Sequence, residues 1–203
     1  MISKDNQKLL KDLTFFHIDT AKKVVTGLPL ITWFIPFLIA VAILILWATP
    51  IGWVASKPVQ EIVAVTTIIL AAILAVTLHR SVGEKFTLLV AAFICVVMLR
   101  EIHIPSTSNP LYLCMAGILI WASIERRVIG HWFKDRLLSI LLAGGFFTYL
   151  LSALFDQHLF FFLPGYDLWH DHVEETLETS GHFMMFLSLL QITAIHTRSK
   201  KPE

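Results

Sequence analysis

Apolar residues in this chain form long stretches that are separated by short polar segments. A helix that crosses the hydrocarbon core of a bilayer needs about 20 mostly apolar residues. Six stretches reach or approach that length: residues 30–48, 59–78, 86–104, 111–129, 137–156 and 176–195. The pattern therefore predicts an all-α fold, a polytopic membrane helix bundle with about six transmembrane helices.

Lysine and arginine residues fall mainly on one side of this predicted bundle. They are concentrated in the N-terminal segment, in the second and fourth loops and in the C-terminal tail, whereas the opposite side holds little more than Lys57 and Arg100. Because cytoplasmic loops carry the excess of positive charge, both termini are predicted to be cytoplasmic. The predicted location is a bacterial inner (plasma) membrane, with membrane lipids as partners. The sequence leaves a membrane-protein partner or a homo-oligomer open.

The chain divides into three parts at the borders of the apolar region. In residues 1–25, Leu9, Leu13 and Phe16 recur at helical spacing among lysines, which predicts an amphipathic helix on the cytoplasmic membrane surface. A polar leader without regular structure is the alternative. Residues 26–197 form the predicted six-helix transmembrane domain, and residues 198–203 form a cytoplasmic tail.

Composition agrees with a membrane protein and excludes several other classes. The chain is 56% hydrophobic and 15% charged, whereas soluble domains carry about a quarter charged residues. Its net charge of +1 gives no basis for nucleic-acid binding, which requires a basic patch. The sequence contains no phosphate-binding glycine loop, cysteine-pair metal motif or hydrolase-type serine motif.

The third apolar stretch is too short to cross a membrane unless its helix continues past Leu99. Arg100, Glu101 and His103 are then placed at the outer edge of the hydrocarbon region and not in free solvent. Ionisable groups at that depth are costly, and they usually face partners or a water-filled cavity.

The sixth helix gives the same result when it is counted back from the basic C-terminus. About 20 residues reach Thr176, so Glu178 and His182 are predicted inside the membrane near its outer face. At about 100° per residue, five ionisable side chains fall within one narrow arc: Asp171, Glu174, Glu175, Glu178 and His182.

The fifth helix also ends at this depth, with Asp156 at the boundary and His158 just beyond it. The loop to the sixth helix is predicted to contain Asp167, His170, Asp171 and His172. Seven candidate residues are therefore expected at a common depth: Glu101, His103, Asp156, His158, Glu175, Glu178 and His182.

Mixed imidazole and carboxylate ligands suit a divalent metal such as zinc, iron or manganese. The predicted metal ligands are His103, Asp156, His158, Glu178 and His182. Glu175 and Glu101 are the predicted catalytic carboxylates, one of which would act as a general base.

Three functions are compatible with such a cluster. The first is a metal-dependent membrane enzyme, a hydrolase in which a metal-bound water attacks a lipid or lipid-linked substrate at the extracytoplasmic face. The second is a scaffold or accessory subunit, in which Arg100 neutralises Glu101, Asp156 or Glu178 within a structural ion network. The third is a cation or proton transporter, although the nearly apolar cytoplasmic halves of helices three, five and six weigh against it.

Overall fold

The computed structural model describes residues 18, 26–47, 49, 53, 56–102 and 108–199, and all regular secondary structure within them is helical. Six long helices follow one another: α1 (Leu30–Trp47), α2 (Lys57–Val82), α3 (Lys85–Glu101), α4 (Ser108–Ile124), α5 (Arg136–Asp156) and α6 (Tyr166–Ser199). A helical turn (Arg126–Ile129) and a 3-10 turn (Trp132–Lys134) connect α4 to α5. The prediction of an all-α fold is confirmed. The predicted amphipathic segment (apart from Ile18), His103 and the chain beyond residue 199 lie outside the described residues.

Local sequence signals account for several helix ends. Pro58 lies in the first turn of α2. Backbone N–H groups in the first turn have no partner within the helix, so a proline costs no hydrogen bond there. α2 ends at Val82, and the capping Gly83 adopts a φ of +73° without strain and donates its N–H to the carbonyl of His79 (2.8 Å). Asp135 caps α5, because its carboxylate accepts a hydrogen bond from the backbone N–H of Leu138 (2.8 Å).

The sixth helix is longer than the apolar pattern predicts. α6 contains 34 residues, a length of about 51 Å at 1.5 Å per residue. It begins directly after Gly165, which turns the chain with a φ of +69°. The prediction that Asp167, His170, Asp171 and His172 form a loop is wrong, because all four lie on α6. Asp167 occupies the first turn, where the helix dipole favours negative charge.

α5 and α6 run antiparallel and contact each other along their length. Near the end of α5, the hydroxyl of Ser152 donates to the carbonyl of Glu174, early in α6 (3.3 Å). At the start of α5, Asp135 accepts a hydrogen bond from the side chain of Gln191, late in α6 (3.1 Å). These two contacts fix the register between the helices.

α2 lies against α6 and runs parallel to it. Lys57, at the start of α2, forms an ion pair with Glu175 (3.1 Å), and one turn further the hydroxyl of Thr179 donates to the carbonyl of Gln60 (3.4 Å). Lys85, at the start of α3, pairs with Glu125, just after the end of α4 (2.7 Å), so consecutive helices from α2 onward alternate in direction. We call one end of the bundle the acidic end, defined by Asp156, Asp171, Glu174 and Glu175. We call the opposite end the basic end, defined by Arg80, Lys85, Arg126 and Arg136.

Glycines allow α5 and α6 to pack closely. A Cβ on Gly181 would come within 3.0 Å of the ring of Tyr149, and one on Gly145 within 3.1 Å of Met185 Cε. Small residues at a shared level let two helix backbones approach, as they do between membrane helices. Tyr149 thereby reaches the part of α6 that carries His182.

Within the described residues, α2 and α5 are the two helices that are both long and apolar enough to cross a membrane. α1, α3 and α4 are shorter, with 18, 17 and 17 residues, and α6 carries charged side chains among its apolar ones. Core helices of soluble proteins can have the same length and composition. This criterion is therefore weak support for membrane association and does not confirm six spans.

Candidate functional site

Five polar side chains from three helices meet inside the bundle, toward its acidic end. Arg100 and Glu101 come from the last turn of α3, Tyr149 from α5, and Glu178 and His182 from α6. We call these five residues the buried polar cluster. Each of them except Arg100 exposes less than a tenth of its surface.

The helical period explains why α6 contributes two members. Glu178 and His182 are four residues apart, so they lie one above the other on the same face. The acidic stripe of α6 becomes more buried along its length. Asp171 is exposed, Glu174 and Glu175 are half-buried, and Glu178 and His182 are buried. The stripe therefore runs from the surface at the acidic end into the bundle.

Arg100 forms the central ion pair of the cluster. Its Nη1 contacts Glu178 Oε1 directly and lies 3.8 Å from Glu101 Oε1. The Arg100 side chain is 21% exposed, and it lines a cavity of about 140 Å³ between α3, α4 and α5. Buried carboxylates require such a partner, because an uncompensated charge in the interior costs several kcal/mol.

His182 is completely buried, and each of its ring nitrogens faces an oxygen atom. Nδ1 lies 2.6 Å from the backbone carbonyl oxygen of Glu178, and Nε2 lies 3.2 Å from Glu101 Oε1. Nε2 makes no hydrogen bond within the described part of the chain, so its approach to Glu101 is a close polar contact.

Tyr149 closes the cluster from α5. Its ring packs edge-on against His182, with ring centroids 5.4 Å apart. Its hydroxyl is buried and has no hydrogen-bond partner among the described residues. Buried tyrosine hydroxyls usually form a hydrogen bond. The Tyr149 hydroxyl is therefore a hydrogen-bond donor inside the cluster that no described residue uses.

Two further carboxylates lie nearer the acidic end. Glu175 pairs with Lys57, as described above, and Glu174 lies one helical turn before Glu178, about 6 Å along the helix axis. Burial raises the pKa of Glu174 to about 7, and the nearby carboxylates of Asp156 and Glu175 add to the shift. A carboxyl group with this pKa can exchange a proton at neutral pH.

Asp156 and His158 make a different set of contacts, at the end of α5. Asp156 is exposed and accepts a hydrogen bond from the side chain of Gln157 (3.0 Å). His158 is also exposed, and its backbone adopts a left-handed φ of +52°. Its Nδ1 lies 3.4 Å from the hydroxyl of Tyr166, and its ring centroid lies 5.3 Å from that of His170. These contacts join the end of α5 to the first turns of α6.

The structure thus brings Glu101, Glu178 and His182 together, with Arg100 between the two carboxylates. Within the described part of the chain, no group of three or more His, Cys, Asp or Glu side chains could hold a metal ion. His103, one of the predicted ligands, lies outside that part. Binding of zinc, iron or manganese therefore stays a prediction.

Sequence analysis alone does not identify Tyr149 as part of the site. Tyr149 lies in an apolar stretch, where an aromatic residue is typical of helix packing. The glycine at position 181, next to His182, is the feature of the sequence that could have indicated a close aromatic contact at this level of α6. A glycine inside a long helix costs about 1 kcal/mol relative to alanine, and a close contact is a common reason for it. The pairing of Lys57 with Glu175 is likewise visible only in the structure.

Comparisons with protein-family models, with curated proteins and with solved structures find no match.

Proposed function

We propose that this chain is an integral membrane protein whose six long helices cross the membrane, with both termini in the cytoplasm. We further propose that the buried polar cluster is a structural ion network that ties α3 to α5 and α6. The chain would then serve as a membrane scaffold or accessory subunit.

The apolar side chains on the outward faces of the helices support the proposal that the chain crosses a membrane. Each of the six helices exposes large apolar side chains, among them Phe37, Ile62, Leu99, Leu113, Leu150 and Phe183. Several polar side chains are instead buried, among them Thr87, Thr148, Ser152, Glu178 and His182. Soluble proteins rarely expose contiguous apolar surface of this kind, whereas lipid tails would cover it.

The distribution of basic residues supports the orientation. The basic end holds the turns between α2 and α3 and between α4 and α5, and it also holds the end of α6. Lysine and arginine are concentrated there, as expected for a cytoplasmic side.

The contacts of α3 support the structural role of the cluster. α3 packs mainly against its chain neighbours α2 and α4. Among the described residues, its polar contacts with α6 include Arg100 with Glu178 and Glu101 with His182. Removing one member of a buried ion pair costs about 3–5 kcal/mol, because the other charge is left without its partner.

A double-mutant cycle tests this role. Arg100→Met and Glu178→Met should each lower the free energy of unfolding by about 3–5 kcal/mol, whereas the double variant should recover most of the loss. Lys57→Met and Glu175→Met provide the matched control, since Lys57 is half exposed and each substitution should cost at most about 1 kcal/mol. Denaturation in detergent micelles measures the free energy of unfolding of the wild type and of these five variants. Single variants as stable as the wild type would contradict a structural network.

A second candidate is an enzyme that acts on a lipid or lipid-linked substrate at the acidic end. Glu174 favours an enzyme, because carboxyl groups with shifted pKa values cluster at active sites. Burial and the neighbouring Asp156 raise the pKa of Glu174 to about 7. Mass spectrometry of proteoliposomes made from a total bacterial lipid extract would test it. Conversion of a lipid that is lost in Glu174→Gln and retained in Glu125→Gln supports this candidate. No conversion by the wild type rules it out.

A further inference from the structure

We propose that the cavity between α3, α4 and α5 binds a quinone whose head is a single six-membered ring, and that the Tyr149 hydroxyl donates a hydrogen bond to one of its carbonyl oxygens. The inference goes beyond the structural role proposed above and does not depend on it. The ion pair of Arg100 with Glu178 forms beside the cavity and does not require a ligand.

The size of the cavity favours one ring. Its volume is about 140 Å³. An engineered cavity of about 150 Å³ in another protein, lined by leucine, isoleucine and phenylalanine, binds benzene. The space between the three helices therefore matches a single six-membered ring.

Most of the cavity wall is apolar. Five of the lining residues have apolar side chains: Val97 from α3, Met115 from α4, and Phe146, Leu150 and Ala153 from α5. Water in a protein interior needs two to four polar partners, so an apolar ring suits this part of the wall better than water does. Leu150 is also half exposed on the outer face of α5. The cavity therefore reaches the surface of the bundle, where a ligand dissolved in lipid can enter.

The polar part of the wall offers hydrogen-bond donors. Tyr149 and Arg100 complete the lining. The Tyr149 hydroxyl is buried, and no described residue forms a hydrogen bond with it. A carbonyl oxygen accepts hydrogen bonds and donates none, so it complements this hydroxyl. An acyl tail would fill the same space but would leave a buried donor unsatisfied, which is costly.

The neighbouring charges favour a neutral ligand. Arg100 Nη1 contacts Glu178 Oε1 and lies 3.8 Å from Glu101 Oε1. A ligand carboxylate that approached Arg100 would therefore also meet carboxylates of the protein, and juxtaposed like charges repel. A quinone is neutral, and both of its carbonyl oxygens are acceptors. It combines an apolar ring of the right size with the acceptor that Tyr149 lacks.

Equilibrium dialysis of the full chain in detergent tests the proposal, with radiolabelled duroquinone as the probe. Duroquinone is a benzoquinone with a fully methylated ring, so it has no open ring position at which Cys95 or Cys114 could add. The wild type should bind about one equivalent saturably, as a single cavity of this volume predicts.

Three variants show where the quinone binds. Tyr149→Phe keeps the ring and removes the hydroxyl, and it should weaken binding about tenfold. Ala153→Leu fills the cavity and should abolish saturable binding. Ala116→Leu is the matched control, because it adds the same side chain on the exposed face of α4, and it should bind like the wild type. No saturable binding by the wild type would overturn the proposal, and so would equal affinities in all four proteins.

Three competitors test the chemistry of the ligand. Durene is the same methylated ring without oxygen, benzoate is a charged single ring, and dimethylnaphthoquinone has two fused rings. Each should displace duroquinone at least about tenfold less well than unlabelled duroquinone does. Equal competition by durene would show a purely apolar cavity, equal competition by benzoate an anion site, and equal competition by the naphthoquinone a larger site. Each of these results would overturn the proposal.

An infrared measurement on the wild type covers the case in which the variants do not fold. Hydrogen bonding lowers the stretching frequency of a carbonyl group. Duroquinone that is isotope-labelled at its carbonyl carbons should therefore show a lower band when bound than in detergent alone. An unshifted band would refute the hydrogen bond. Loss of the ion-pair effect in the double-mutant cycle, by contrast, would overturn only the structural role.

Discussion

The ammonium group of Lys57, in the first turn of α2, lies 3.1 Å from the carboxylate of Glu175 on α6. The hydrogen bond with Glu175 raises the pKa of Lys57, which indicates a favourable pair. Burial nevertheless raises the pKa of Glu175, which indicates a costly carboxylate. Because Lys57 is half exposed, water screens its attraction to the carboxylate, and the cost of burying Glu175 offsets most of the gain. The pair aligns α2 with α6 and stabilises them little.

Glu174, beside this pair, should make the stability depend on pH. Its pKa of about 7 lies above the ordinary value, so the folded protein binds the proton more tightly than the unfolded chain does. The free energy of unfolding should therefore be highest below about pH 4.5 and should fall as the pH rises toward about 7.

Glu174→Gln should flatten this dependence, although Glu175, whose pKa is shifted in the same direction, will retain part of it. Melting temperatures of both proteins measured between pH 4 and pH 8 check this. A difference between wild type and variant that stays constant with pH would contradict it.

Gly181→Ala should destabilise the contact between α5 and α6. The added Cβ would lie 3.0 Å from the ring of Tyr149, and overpacking of this kind costs about 1–3 kcal/mol. Gly117→Ala is the matched control. A Cβ at Gly117 meets nothing within 4 Å, and alanine favours a helix by about 1 kcal/mol. Thermal melts should therefore move in opposite directions for the two variants. A shift of Gly181→Ala in the same direction as the control would show that the α5–α6 contact is looser than described.

The orientation can be checked with reporter fusions. Fusions after Lys85 and after Lys134 should report the cytoplasm, and fusions after Lys57 and after Gly165 the outside, because basic loops stay inside. A cytoplasmic signal at Gly165 would exclude six spans and would move the acidic end to the other side.

Elemental analysis separates an ion network from a metal site. With Arg100 in contact with Glu178, we expect less than about one-tenth of an equivalent of zinc, iron or manganese in the purified wild type, even after supplementation. Stoichiometric metal would favour the enzyme instead. It should then be lost in Glu178→Ala and His182→Ala and retained in His131→Ala, because His131 lies at the basic end.

The sequence by itself determined the elements and part of the site. Long apolar stretches predict helices, and each of the six stretches contains a helix in the structure. Counting along these helices placed Glu101, Glu178 and His182 at one level, and the helical period placed the latter two on one face of α6. Rise and rotation per residue are properties of a single helix, so they can be calculated without knowing its neighbours.

The tertiary structure alone decided which of these residues meet. Counting gives the position of a residue along the bundle, but not the side of the bundle from which its helix approaches. Asp156 and His158 were therefore expected with Glu178 and instead contact Gln157, Tyr166 and His170. Arg100 contacts Glu178 directly, and the ring of Tyr149 packs beside Gly181. Both contacts depend on how closely α3, α5 and α6 pack. That packing follows from side-chain volumes across three helices, which no single stretch of sequence contains.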